Sequence, residues 1–153
     1  MDYIVISDQG FCQVREQKIT SQKGVFSNQD YKIGDVLVNF SALKVLEEPD
    51  YLTVQVGINK HIYLFPTFLQ YVNHSCSPNV LFNTTTMALE CVSSIHQGDE
   101  LRFFYPATEW DMAQSFKCNC GSPNCLGQIR GAAYTPIEIM KNYKLTDFIK
   151  GMI

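Results

Sequence analysis

Three cysteines within eight residues, Cys118-Asn119-Cys120-Gly121-Ser122-Pro123-Asn124-Cys125, constrain this chain more than any other feature. Two cysteines separated by one residue are poorly placed to bridge each other, whereas three thiolates on tight Gly, Pro and Asn turns can converge on one tetrahedral ion. Zinc needs a fourth ligand, and the local sequence supplies none. Cys12, Cys76, Cys91 and the histidines are candidates; Cys76 is the best of them, because Asn73-His74-Ser75-Cys76-Ser77-Pro78-Asn79 is itself a polar, turn-rich loop. The competing reading is a set of scattered buried thiols. A zinc held from both regions would be structural, stapling the tail across the domain with every coordination position filled by protein.

The chain has 153 residues, 46% of them apolar and 18% charged, which fits one globular domain with a small appendage and needs no disulfide. Twelve basic against 15 acidic residues give a net charge of −3, and no basic run occurs, so no nucleic-acid partner is expected. The N-terminus lacks a basic stretch followed by an apolar core, and no apolar run approaches the roughly 18 residues of a membrane span. The expectation is a cytoplasmic or nuclear protein with no membrane partner, in which cysteines are thiols or metal ligands.

The first hundred residues read as short strands. Tyr3-Ile4-Val5-Ile6, Gly24-Val25-Phe26, Val36 to Phe40, Leu52 to Val56, Val80-Leu81-Phe82, Met87 to Val92 and Leu101 to Tyr105 are rich in β-branched and aromatic residues, with turn residues between them. Asn83-Thr84-Thr85-Thr86 reads as a hairpin loop. No βα alternation occurs, which argues against a doubly wound sheet. Thr135-Pro136-Ile137-Glu138 predicts a helix start, with Thr135 as N-cap, and Ile137, Met140, Leu145, Phe148, Ile149 and Met152 form an apolar stripe for the core. The organisation expected is a main domain at 1–106, a zinc-binding segment at 107–131 and a C-terminal helix at 132–153.

Asn73 to Asn79 resembles the Asn-His-Ser-Cys-x-Pro-Asn signature of SET-domain protein lysine methyltransferases. Gly98-Asp99-Glu100-Leu101-Arg102-Phe103-Phe104-Tyr105 is similar to the family's Gly-Glu-Glu-Leu-Thr-Phe-Asp-Tyr motif, and Cys118 to Gly127 matches its post-SET cysteine pattern. Lys23-Gly24-Val25-Phe26-Ser27 followed by Lys32 to Leu37 resembles the family's opening strand pair. The resemblance implies a mainly β (α+β) fold, the SET-domain β-clip of short curved sheets, in which the first two motifs form a pseudoknot. It also implies one structural zinc on Cys76, Cys118, Cys120 and Cys125, with Cys12 and Cys91 as ordinary core thiols.

The implied activity is methyl transfer from S-adenosylmethionine to the lysine ε-amine of a protein or peptide substrate, histone or otherwise. Tyr105 matches the catalytic tyrosine, read as an orienting group because a phenol with a pKa near 10 is a poor base at neutral pH. Phe103, in the substrate channel with Tyr105, matches the position that governs how many methyls are added, and phenylalanine there leaves room for more than one. Lys23, Gly24, Tyr71, Asn73 and His74 match the cofactor-binding positions, Gly24 allowing close backbone approach. His61 and His96 are read as surface or turn residues. The sequence departs from the pattern at Gln22, where a glycine is usual; at Gln70-Tyr71, where Arg-Phe is usual and a positive charge near the cofactor is lost; and at Phe104, where Asp is usual. These departures support the alternative of a catalytically weak or inactive SET-fold module that binds a protein partner. A zinc-ribbon nucleic-acid binder has only Lys117 and Arg130 near the metal residues in its favour.

Overall fold

Runs of β-branched and aromatic residues cut every few positions by Gly, Asn and Asp make strands too short for one large sheet, and the chain distributes them over four small ones. The computed structural model describes residues 2–153. In chain order the strands are β1 (Tyr3–Asp8), β2 (Cys12–Gln17), β3 (Lys23–Ser27), β4 (Val36–Asn39), β5 (Ser41–Leu46), β6 (Val54–Gly57) and β7 (Lys60–Phe65). They continue with β8 (Asn73–His74), β9 (Val80–Asn83), β10 (Ala88–Cys91), β11 (Glu100–Phe103), β12 (Phe116–Lys117) and β13 (Gln128–Ile129). The sheets run β1-β2-β3-β11-β8, β4-β10-β9, β5-β7-β6 and β12-β13. The hairpin expected at residues 83–86 joins β9 to β10. Six strands are additional to the sequence reading: β2, β5 and β7, whose Gln, Arg, Lys and His residues dilute the strand signal, and β8, β12 and β13, which are only two residues long.

The pairing that shapes the molecule is β8 against β11, which run parallel with Asn73 opposite Arg102 and His74 opposite Phe103. Parallel neighbours need a long connection, so the chain between them makes the β9–β10 hairpin and returns. Asn79 locks the crossing. Its side-chain amide donates to the Glu100 carbonyl at 2.9 Å and its side-chain oxygen accepts from the Arg102 N–H at 2.9 Å. The Asn79 N–H donates to the Arg102 carbonyl, and the Ser75 N–H to that of Phe103, both at 3.0 Å.

Two apolar clusters hold the sheets. One gathers Val25, Ile62, Phe82, Leu89, Leu101 and Phe103, and the other Cys76, Leu81, Phe104, Ile129, Met140 and Ile149. Cys12 and Cys91 are buried core thiols, and Cys91 donates to the Ser93 carbonyl at 3.0 Å.

The C-terminal segment corrects the single helix expected at 132–153. It contains two short helices, α1 (Ile137–Met140) and α2 (Asp147–Met152). Thr135 does not cap: its hydroxyl donates to the Gly131 carbonyl at 2.8 Å, and Pro136 occupies the N-cap position. The chain breaks after α1 so that Tyr143 can lie flat on Phe104, ring centroids 3.7 Å apart, and donate its hydroxyl to the Cys76 carbonyl at 2.6 Å. Thr146 then restarts the helix, accepting from the Ile149 N–H at 3.3 Å. The stripe is core in part: Met140, Leu145 and Ile149 are buried, Phe148 and Met152 are half-buried, and Ile137 is 46% exposed. Among the described residues no helix is long and apolar enough to cross a membrane.

The histidines divide. His96 is exposed in a turn beside Asp99, as read from the sequence. His61 is not a surface residue; it is buried in β7 with its Nδ1 unbonded, and burial lowers its pKa, keeping it neutral. In the strand it shares a face with Tyr63, opposite to Ile62 and Leu64, a placement that the missed β7 concealed.

Candidate active site and metal centre

The β8–β11 crossing carries both motif segments to the wall of one cavity of about 700 Å³. Lys23, Gly24, Asn73, His74, Phe103 and Tyr105, all singled out from sequence, line it together. Tyr71 is not on this wall; its neighbour Gln70 is, and the Tyr71 ring lies 5.2 Å from the Lys23 ammonium. Gly24 is required by its surroundings: a Cβ there would stand 2.9 Å from Glu100 Oε2 and 3.2 Å from the Phe26 ring. That carboxylate is held in place by Arg102 at 2.7 Å on one oxygen and by the Asn73 side-chain amide at 3.1 Å on the other. The positive charge that Gln70 does not provide is present on the same wall in Lys23 and Arg102.

Tyr105 sits among rings. Phe103 lies 4.6 Å away, His74 5.1 Å and Phe116 5.7 Å, centroid to centroid. Phe103 is braced from behind by Phe82 at 4.9 Å. Burial, followed by the charges of Glu109 and Glu100, raises the Tyr105 pKa above the ordinary phenol value, which makes it still less a base than the sequence reading assumed. The backbone N–H of Tyr105 donates to His74 Nδ1 at 3.1 Å. Burial, then the Arg102 charge, depresses the His74 pKa to about 4, so His74 is neutral near pH 7, as an accepting Nδ1 requires. Its other nitrogen, Nε2, is then the protonated one and faces Cys76 Sγ at 3.4 Å.

Cys76 joins Cys118, Cys120 and Cys125 in a group whose four sulfur atoms all lie within 4.8 Å of one another. This is the set that spacing and resemblance had favoured. Four thiols at tetrahedral reach, two of them buried, fit a soft tetrahedral cation, which would have to ionise thiols that burial now pushes up, Cys76 to about 11 and Cys118 to about 12. The loop is preformed: the Leu126 N–H points at Cys76 Sγ at 3.4 Å, the Asn124 amide donates to the Cys76 carbonyl at 3.0 Å, and the Cys118 N–H donates to the Gly127 carbonyl at 2.6 Å. Gly131, at φ +121°, lets the chain pass the Trp110 carbonyl, which a Cβ would meet at 2.5 Å. Cys118 and Cys120 also line the large cavity, so the metal residues and the cavity share a wall.

Phe116 and Glu109 belong to this site and were not found from sequence. Phe116 lies two positions before the first clustered cysteine, a spacing that marks it in retrospect. Glu109 carries no motif; it is an isolated acid in a loop.

A family model, SET domain, matches residues 22–106. The methyltransferase flvH of Aspergillus flavus is 42% identical over 105 residues, which cover 67% of this chain and 58% of that protein. The H3 lysine-36-specific histone-lysine N-methyltransferase of Saccharomyces cerevisiae is 26% identical over 147 residues, 81% of this chain and 20% of that protein. The chain thus spans less than two thirds of the length of either relative. Among solved structures, KRYPTONITE in complex with mCHH DNA, H3(1-15) peptide and SAH superposes with a TM-score of 0.56 at 16% identity, over 75% of this chain and 28% of that one.

Proposed function

The chain belongs to the SET-domain family, and from that membership we infer that it transfers a methyl group from S-adenosylmethionine to the ε-amine of a lysine in a protein substrate. The observation that carries this reading is the β8–β11 crossing, which sets Asn73 and His74 beside Phe103 and Tyr105 on one cavity wall. When bound, S-adenosylmethionine supplies a methyl on a positively charged sulfur, already a strong electrophile.

What remains for the protein is alignment and the supply of an unprotonated amine. Lys23, Asn73 and His74 would hold the cofactor at one end of the cavity. Tyr105 would orient the amine, its backbone fixed by the bond to His74. The rings of Phe103, Phe116 and Tyr105 exclude water, which lowers the pKa of a lysine ammonium, while their faces still tolerate a methylated cationic product. With no hydroxyl on Phe103 the channel has room for a second methyl. Zinc on Cys76, Cys118, Cys120 and Cys125 would be structural, since its four positions are filled by protein. A compartment that keeps those thiols reduced, cytoplasm or nucleus, suits such a site.

The relatives named for histone-lysine methylation and the H3 peptide in the KRYPTONITE complex make histone tails a first substrate to try. The test is transfer of labelled methyl from S-adenosylmethionine to core histones by the zinc-loaded protein. The expected result is label on lysine, falling about 100-fold with Tyr105→Phe while folding is unchanged. Label that is equal in wild type and Tyr105→Phe would overturn the assigned role of the tyrosine, and label on any residue but lysine would overturn the reaction.

A further inference from the structure

Three carboxylates line the cavity among the described residues, and two of them are fully engaged. Glu100 gives one oxygen to Arg102 and the other to Asn73. Asp50 accepts from the Leu52 N–H on one oxygen and from the Tyr63 hydroxyl on the other. Glu109 differs. Both of its donors, the Gln55 N–H at 2.9 Å and the Thr108 hydroxyl at 2.7 Å, converge on Oε2, and Oε1 receives no hydrogen bond. Glu109 is only 8% exposed, and its unbonded Oε1 keeps accessible surface on the cavity it lines, where a cationic group can reach it.

Its placement is fixed. The Glu109 N–H donates to the Tyr105 carbonyl at 2.9 Å, so the carboxylate follows the tyrosine by one tight turn. The Trp110 N–H returns a bond to Gln55 Oε1 at 2.8 Å, which clamps the turn against β6 from both sides. The other charges on the wall offer Glu109 no partner: Arg102 is paired with Glu100, and the Lys23 ammonium stands over the Tyr71 ring. Lys117 is on β12 and exposed, and His74 is neutral with both ring nitrogens in contact.

We propose that Glu109 is a catalytic residue of this site, pairing through Oε1 with the ammonium of the incoming substrate amine and taking its proton before methyl transfer. The inference rests on the amine-methylation reading given above. The step balances: one N–H bond of R–NH3+ breaks, its electron pair stays on nitrogen, and the proton forms an O–H bond on the carboxylate, leaving R–NH2 and a neutral carboxylic acid. The proton leaves to solvent after turnover. Burial raises the Glu109 carboxyl to about 7, against the two lowering hydrogen bonds, so the group exchanges protons near neutral pH where Tyr105 and His74 do not.

The test uses Glu109→Gln, which keeps an accepting oxygen for Gln55 and Thr108 and removes the proton acceptor. Zinc-loaded protein labelled with 13C at the glutamate carboxyls is titrated with n-butylammonium, a mimic of the lysine side chain, with and without S-adenosylhomocysteine. The expected result is one carboxyl resonance, absent from Glu109→Gln, that shifts saturably and whose titration midpoint falls when the cation is present. No response at that resonance, or butylammonium binding undiminished in Glu109→Gln, would overturn the proposal. Cofactor binding is followed separately by calorimetry: its absence counts against the methyltransferase reading, while the carboxyl response decides the role of Glu109 in either case.

Discussion

Phe104 stands where the family pattern carries an aspartate, and its surroundings explain the exchange. It is 1% exposed and stacked on Tyr143, so the C-terminal segment covers a position that a charged residue could occupy only at a water-facing surface. Glu109 is the opposite case, an acid held inside. Its carboxyl is raised from the ordinary value of 4.5 to about 7, first by burial, so the folded state favours the protonated form. The stability this contributes is fully present below about pH 4.5 and is lost as pH rises through about 7. Glu109→Gln removes that loss. Thermal unfolding at pH 5 and pH 8 should therefore show the variant gaining on wild type at the higher pH, and an equal difference at both values would contradict the burial argument. Asn73, His74, Phe103 and Tyr105 were legible because each lies in a motif with fixed neighbours. Glu109 was not, since what makes it special is Gln55, a contact 54 residues away that no local pattern announces.

Elements were legible where chemistry and periodicity agreed. The β9–β10 hairpin, the strand at 23–27 and the strand before Tyr105 follow from β-branched runs and turn residues. β5 was missed because Ser41, Lys44 and its exposed apolar residues do not alternate cleanly, and β7 because Lys60 and His61 open it. The single C-terminal helix failed for a tertiary reason. Pro136 and the apolar stripe satisfy helix rules locally, but Tyr143 and Phe104 stack only if the chain turns between Met140 and Asp147. Thr146, 2% exposed, supports the second helix through its cap and also donates its N–H to the Ala107 carbonyl at 3.1 Å. Thr146→Ala should cost about 1 kcal/mol in denaturant unfolding. A change near zero would mean that α2 does not depend on this cap.

At the scale of the molecule, two apolar cores meet at the knot between β8 and β11, and the cysteine group lies against the second of them. Cys76 sits two residues beyond His74, and Cys118 and Cys120 stand on the cavity wall, so the cysteine group, the neutral histidine and Tyr105 form one connected structure. The methyltransferase proposal requires that this cavity take S-adenosylmethionine. The most direct measurement is a calorimetric titration of the zinc-loaded protein with S-adenosylhomocysteine, repeated after the metal is removed by a chelator. Saturable binding at one site per chain in the micromolar range is expected, weakened when the cysteine group is emptied. A folded, zinc-loaded protein that takes up no S-adenosylhomocysteine would contradict it.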